Sequence, residues 1–431
     1  MIESPGAEHT TVKSSERASG YAWLVFSIIF LLGFFDFAVR QMVVGMFPAL
    51  KSEWLLDDKS LAILVAIVPI VVGVAVLPLS FVIDRWSRVK AIFLMAIIWS
   101  VATIICGLAS QYMVLLVARG FVGFGEAAFG PAGFALLAYY FPARWRATVI
   151  GGVLIAATLG SMVGIYIGSA LTELYGWRAA FICLGGISFV LSFSIFWVKD
   201  YQTQPIISSH RGDQKVKEVI KALLLSPTAS LSYLAGALQM FIISTLTIWL
   251  PSYLNRYYDM PNNTAAFYGA VAIGLGAIGT LIWSRSADAW GHRNARGRLY
   301  VPAIGAVITG LLLAISFAIL PFGIMQLIVI MAATFSMTAS LGPVNAVVID
   351  VIRPGLRASA TAMVSVCSNL LGLAAGPLVI GAISDAYGLH YALGFLPLFS
   401  MLACLGFVAA SRFYEKERDA TLSNEKAVLA L

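Results

Sequence analysis

The stretch Ala118 to Pro131, ARGFVGFGEAAFGP, holds two charges in an otherwise apolar run, Arg119 and Glu126. Seven residues make about two turns of an α-helix, so the two side chains share one face. A charge at the centre of a bilayer costs about 2.5–3.5 kcal/mol and is rarely found there without a partner or a polar cavity. A carboxylate in low dielectric favours its neutral form and can load a proton, and a guanidinium beside it offsets that preference. An anion that engages the guanidinium would release the acid to protonate. The pair therefore reads as a device that couples an anion to a proton; the plain alternative is that it staples one helix to its neighbours. Asp36 and Arg40 form a second couple four residues apart, either an intrahelical ion pair or an acid and a cation facing a cavity.

The elements that position these charges are membrane spans. Of the 431 residues, 60% are hydrophobic and 11% charged, less than half the charged share of an ordinary soluble chain, about 25%. Apolar blocks of twenty or more residues are long enough to cross a hydrocarbon core of about 30 Å. Breaks at Pro, Gly and charge clusters divide the chain into twelve expected spans, near 22–47, 60–83, 90–110, 112–139, 147–171, 178–198, 228–254, 264–287, 300–320, 324–350, 359–383 and 390–411. The first block follows a polar tail without a basic n-region or small-residue cleavage site, so it reads as a permanent span and not a signal peptide. Residues 1–20 and 412–431 are expected as cytoplasmic tails, 21–198 and 227–411 as two six-helix bundles, and 199–226 as a cytoplasmic linker. The fold class is all-α integral membrane.

Basic residues alternate between connections. One side carries Arg85, Arg88, Lys90, Arg144, Arg146, Arg293, Arg296, Arg298, Arg353, Arg357 and the linker lysines; the other has little beyond Lys51, Lys59, Arg178 and Arg256. The positive-inside rule places both termini in the cytoplasm. The excess of +7 is scattered over short loops, which speaks for topology and against a nucleic-acid partner. The two halves also repeat one another. Gly130-Pro131 recurs as Gly342-Pro343, Gly160 with Gly164 as Gly372 with Gly376, and Glu173-Leu-Tyr-Gly176 as Asp385-Ala-Tyr-Gly388, each pair 212 residues apart. Parallel repeats about an axis normal to the membrane are a transporter architecture, with the substrate site between the halves.

Two loops carry a family signature. The turn after the second span reads SFVIDRWSRVK (80–90), and its counterpart after the eighth reads SRSADAWGHR (284–293). Both resemble the G-x-x-x-D-[RK]-x-G-[RK] motif of the major facilitator superfamily, with Ser80, Ser284 and Ser87 where the family usually has glycine. Within it, residues 123–152, 294–306 and 342–385 are similar to the bacterial spinster-type group. That resemblance implies a proton-linked carrier in a bacterial cytoplasmic membrane, with an acid on the first span and an Arg/Glu pair on the fourth. It implies a lipid-like or small organic solute, since animal relatives move lysophospholipids or phosphorylated sphingoid lipids. Arg119 and Glu126 match the pair. The first span departs: relatives read D-R-Q, while here Val39 precedes Arg40 and Gln41, and the nearest acid is Asp36, one turn earlier. The motif R-x-x-x-G-x-x-E, which Arg119 to Glu126 also fits, marks organic-anion:proton symporters, so that reading and an uncoupled facilitator stay open beside the first.

The resemblance further implies a cytoplasmic gate. Asp84, Arg85 and Arg88, repeated by Asp288 and Arg293 and joined by Arg146 and Arg357, would hold the halves together when the carrier faces out, the acid leaning on a helix N-terminus. Setting topology is the bland role for the same charges. Asp350 and Asp385, at the ends of the tenth and eleventh spans, read as interfacial. Proton coupling is assigned to Glu126 and Asp36, and substrate binding to Arg119, Arg40 and Glu126. An enzyme or channel is the rival class. There is no Walker motif, no His/Cys cluster, and the four cysteines sit inside apolar blocks, so no metal, cofactor or disulfide is expected. The one G-x-G-x-x-G, from Gly274 to Gly279, lies inside a span with no preceding strand and reads as helix packing. A monomer is expected.

Overall fold

A computed structural model describes residues 19–83, 87–127, 129–199, 223–353 and 356–429. Among them twelve helices are long and apolar enough to cross a membrane: spans 1 to 6 are Gly20–Gly45, Asp58–Val76, Arg88–Gly107, Tyr112–Tyr140, Arg144–Tyr175 and Trp177–Trp197; spans 7 to 12 are Pro227–Tyr257, Asn262–Arg293, Gly297–Ile319, Ile324–Val351, Ser359–Tyr387 and Leu389–Ser423. The described residues contain no strand. This is the expected all-α membrane architecture, and the spans fall where the apolar blocks lie. The expected tail at 412–431 differs in form, because the helix that starts at Leu396 continues to Leu429. Most of the linker 199–226 and of the tail 1–20 lies outside the described residues.

Lipid supplies no hydrophobic drive between helices, so close packing of small residues has to hold the bundle. On span 5, a Cβ at Gly160, Gly164 or Gly168 would meet the carbonyl oxygen of Phe34, Ala38 or Met42 at 2.1, 2.3 and 2.5 Å. Span 5 therefore lies backbone to backbone on span 1. The repeat partners do the same in the second half: Gly372 and Gly376 on span 11 admit Met240 and the Phe241 carbonyl of span 7 at 2.5 and 2.6 Å. The loops carry the repeat as well. Gly176 and Gly388 adopt φ/ψ of 82/155° and 87/154°, a left-handed φ that favours glycine and turns spans 5 and 11 into spans 6 and 12. The duplication read from sequence is a duplication of backbone. Large apolar side chains such as Val117, Phe121, Leu281 and Leu405 remain exposed on the outer faces, where acyl chains would cover them.

Spans 4 and 10 are each broken in the middle. Span 4 is helical over Tyr112–Glu126 and again over Phe129–Tyr140; span 10 over Ile324–Ser336 and Leu341–Val351. The repeated Gly-Pro pair is the cause. Pro131 and Pro343 have no N–H to give the carbonyls of Ala127 and Ala339, and each ring crowds that same carbonyl. Each break lies four residues before its proline.

Candidate functional site

The break in span 4 puts Glu126 at a helix end inside the bundle, with its side chain 4% exposed. Gly123 and Gly125 let it sit there, because a Cβ at either would meet backbone of Val68 or Trp99 at 2.7 Å. Span 4 is thus pressed against spans 2 and 3. Glu126 has no hydrogen bond to either oxygen; its partner is an ion pair, Arg40 Nη1 at 3.5 Å. Asp36, one turn before Arg40, is also buried at 5% exposure, with Oδ1 unpartnered. It lies within electrostatic range of both Glu126 and Arg40. Sharing a helix face did not make Asp36 and Arg40 an ion pair: the guanidinium reaches across to span 4. Two carboxylates and Arg40, with Arg119 within electrostatic range of Glu126, form a buried cluster at the junction of spans 1 and 4.

Arg119 occupies a different place from the cavity wall the sequence suggested. It is fully buried, donating Nε to the Leu64 carbonyl at 3.1 Å and Nη2 to the Arg40 carbonyl at 3.3 Å. The close approach that the glycines of span 4 permit turns this residue inward. Its guanidinium ties span 4 to the backbone of spans 1 and 2, and so fixes the segment that carries Arg40.

Between the halves lies a cavity of about 290 Å³. Phe37, Arg40, Gln41, Thr158 and Ser161 line it from the first half; Ser244, Thr247, Thr280, Met337 and Thr338 face them from the second, among aliphatic residues such as Ile243 and Leu373. Arg40 is the one charged residue of this lining among the described residues. Thr338 comes from the broken segment of span 10. The site is an apolar chamber with hydroxyls on both walls and Arg40 on the first-half wall, backed by two buried acids. No His, Cys, Asp and Glu grouping suited to a metal occurs among the described residues.

Among the described residues, the hydrogen bonds between the halves cluster at the end of the bundle opposite the chain termini. Asp58, at the start of span 2, binds Arg256 Nη1 and Nη2 at 2.6 and 2.7 Å, the Ser384 hydroxyl at 2.5 Å, and Lys51 of its own half at 2.6 Å. Asp385 accepts the backbone N–H groups of Asp58 and Lys59 at 2.7 and 2.9 Å. Glu173, its repeat partner, accepts the N–H of Asn263 at 3.1 Å. Each half thus offers an acid to the first turn of a helix of the other, where unpaired N–H groups and the helix dipole favour a carboxylate. Sequence reading left Asp58 and Glu173 unassigned and put Asp385 at a mere interface. The 212-residue repeat of Glu173 and Asp385 was the signal that could have found them.

Only part of the expected gate at the other end lies within the described residues. Asp84 and Arg85 lie outside the described residues. Arg88 starts span 3, whose first turn is capped by Ser87 accepting from the Lys90 N–H at 3.0 Å. Asp288 and Arg293 are exposed near the end of span 8. Arg146 and Arg357 donate Nε to the carbonyls of Phe141 and Ile349, at 3.3 and 3.2 Å. Both cap the end of the span before them, in their own half.

Comparison with known proteins agrees with this architecture. The sequence profile of the Major Facilitator Superfamily matches residues 29–375. An MFS-type efflux pump of Mycolicibacterium smegmatis is 25% identical over 89% of this chain and 90% of its own length. Protein spinster homolog 1 of Xenopus laevis is 24% identical over 96% and 86%. Among solved structures, a bacterial homolog of the human lysosomal transporter Spinster, in an inward-facing and unoccupied conformation, superposes with a TM-score of 0.80 at 21% identity, covering 94% of this chain and 99% of that one. The duplicated bundle, the loop motifs and these matches together make the chain a member of the major facilitator superfamily, in its spinster-like group.

Proposed function

We infer that the protein is a proton-coupled carrier of a small amphipathic organic anion, working by alternating access. The observation that carries this is Arg40: among the described residues it is the one charged side chain lining the cavity, and its ion-pair partner is the buried Glu126. A carboxylate or phosphate entering the chamber competes with Glu126 for the guanidinium, whose planar fork suits either anion. Glu126, losing its ion-pair partner in a water-poor setting with only the more distant charge of Arg119 left, takes up a proton. Asp36 is the second acid of the same cluster and buffers that exchange. Anion and proton then occupy one site together, which is the condition for symport.

The chamber size bears on the solute. At about 290 Å³ it stands at the lower end of small-molecule sites, about 300–1,000 Å³. That fits a compact anion with an apolar flank better than a whole lysolipid. A lipid-like solute is favoured by one feature, the aliphatic lining from the second half, along which a chain could lie. With the termini in the cytoplasm, as the basic loops argue, the closed end is the outer one and this conformation faces inward. We place the protein in a bacterial cytoplasmic membrane, as a monomer.

The test is transport in proteoliposomes with an internal pH dye, after a thermal-stabilisation panel of organic anions and lysolipids has identified a solute. Glu126→Gln is expected to abolish proton movement with solute while solute exchange continues, and Arg40→Gln to lose the solute response altogether. Wild-type rates of pH change in Glu126→Gln would overturn the coupling role.

A further inference from the structure

We propose that the chamber selects a hydroxylated organic acid, an anion whose other end carries a neutral hydrogen-bond donor. This rests on the anion reading above and adds the chemistry of the rest of the solute. The observation is the direction in which the lining hydroxyls point their hydrogens. Thr158, Ser161 and Thr280 donate to the carbonyls of Leu154, Ala157 and Gly276, one turn back on their own helices, at 3.1, 2.9 and 2.9 Å. Ser244 reaches the carbonyls of Phe241 and, on span 11, Gly372, at 3.1 and 3.2 Å. Thr338 reaches those of Phe335 and, on span 8, Gly276, at 3.2 and 3.0 Å.

A carbonyl has no hydrogen to give, so in each of these contacts the hydroxyl is the donor. The oxygen left facing the chamber can only accept, and a hydroxyl already donating to a carbonyl is the stronger acceptor for it. Such back-bonding is ordinary for Ser and Thr in helices; here the residues come from spans 5, 7, 8 and 10 and meet at one cavity. Among the described residues, the lining side chains whose donors are not spent on carbonyls are Arg40 and Gln41 of span 1 and Thr247 of span 7. The chamber is polarised, with donors on span 1 and acceptors on spans 5, 8 and 10. A solute whose anion turns to Arg40 leaves its other end among those acceptors. A keto or ether oxygen there would stay unpaired and lose its hydration without return. A hydroxyl turns the same contact into a hydrogen bond. An ammonium would also donate, but the described lining holds no acid, so its charge would find no counter-ion on the wall.

The experiment follows thermal stabilisation of the full-length protein in nanodiscs by pairs of acids alike in size and charge: lactate with pyruvate, β-hydroxybutyrate with acetoacetate, and γ-hydroxyvalerate with levulinate. In at least one pair the hydroxy acid should half-saturate at roughly a tenth of the concentration its keto partner needs, the weight of about one hydrogen bond. Replacing Thr158 and Thr280 together by Val keeps the side-chain shape and removes only bonds within single helices; the ratio should fall toward one. Arg40→Gln should abolish the response to both members of the pair. Equal half-saturation within every pair, a keto preference, or an unchanged ratio in the Val variant would overturn the proposal, and the anion reading would stand if Arg40→Gln still silenced both members. A hydroxy preference that persists in Arg40→Gln would do the reverse. No saturable response to any pair would overturn both.

Discussion

Neutralising Asp58 should open the closed end of the bundle. Asp58→Asn keeps the shape of the side chain and its neighbour Ser384, but removes the charge that holds Arg256 from the opposite half at 2.6 and 2.7 Å. The Lys51 contact lies within one half and survives opening, so it does not bias the equilibrium. The Asp58 side chain is 3% exposed and that of Arg256 27%. The pair thus stands between a solvated ion pair, worth about 0.2–1 kcal/mol, and a hydrogen bond to a well-buried charge, about 1.5–3 kcal/mol. Taking about 2 kcal/mol, the ratio of closed to open states falls roughly thirty-fold at 1.36 kcal/mol per decade. Spin labels at Ser52 and Ala386, exposed on the two halves at this end, would report it in a background lacking the four native cysteines. Wild type should give one short distance, and Asp58→Asn an added long component. Arg256→Gln should match it, and the double variant should add little, since both remove one interaction. Unchanged distances in folded Asp58→Asn, or additive effects in the double variant, would refute the assignment of this cluster as the latch.

Three further outcomes are expected. Gly164→Ala and Gly376→Ala should both lower the melting temperature in detergent, by several degrees or to the point of misfolding, because the new methyl meets carbonyl or hydroxyl oxygens within 2.3–2.8 Å; an unchanged melting temperature would show that the helices do not pack this closely. Arg119→Lys should cost about 1–3 kcal/mol of stability, since one ammonium cannot serve the carbonyls of both Leu64 and Arg40, and the loss should appear in thermal unfolding without solute. Glu53 lies outside the spans, and its hydrogen bonds from Arg178, then Trp177, hold its carboxyl below the usual range. A lowered folded pKa adds stability that is present above the unfolded value and lost as pH falls through the folded one. The melting-temperature gap between wild type and Glu53→Gln should therefore be open at pH 7 and close under acid conditions; a gap that widens with acid would contradict the sign.

The spans, their number and the duplication were legible because lipid imposes a length and a polarity that single residues cannot override. Glu126, Asp36 and Arg40 were legible because charges are rare inside such spans. Their pairing was not. Helical spacing joined Arg119 to Glu126 and Asp36 to Arg40, each on its own helix, while the structure joins Arg40 to Glu126 across two. That choice depends on the approach of spans 1, 2 and 4, which the glycines of span 4 set and which periodicity does not encode. The breaks in spans 4 and 10 were likewise written in Gly-Pro pairs that the sequence showed only as a repeat. The closed end went unread because Asp58 and Glu173 are ordinary loop-edge acids until a helix of the other half arrives against them.

The paired breaks have a consequence for how the two halves came to differ. Counting back from Gly130 and Gly342, Arg119 and Glu126 correspond to Met331 and Thr338. An ancestral pair of identical bundles would have held the same side chains in both places, as many buried charges again to be countered around one chamber. Fused copies are free of that constraint. In this chain one half carries the ionisable pair and the other its neutral counterpart, with a hydroxyl where the acid stands. Under the proposed coupling the neutral half can diverge in shape without touching Glu126 and Arg40, so solute preference among relatives should drift chiefly through residues 227–411 while the charged half changes little.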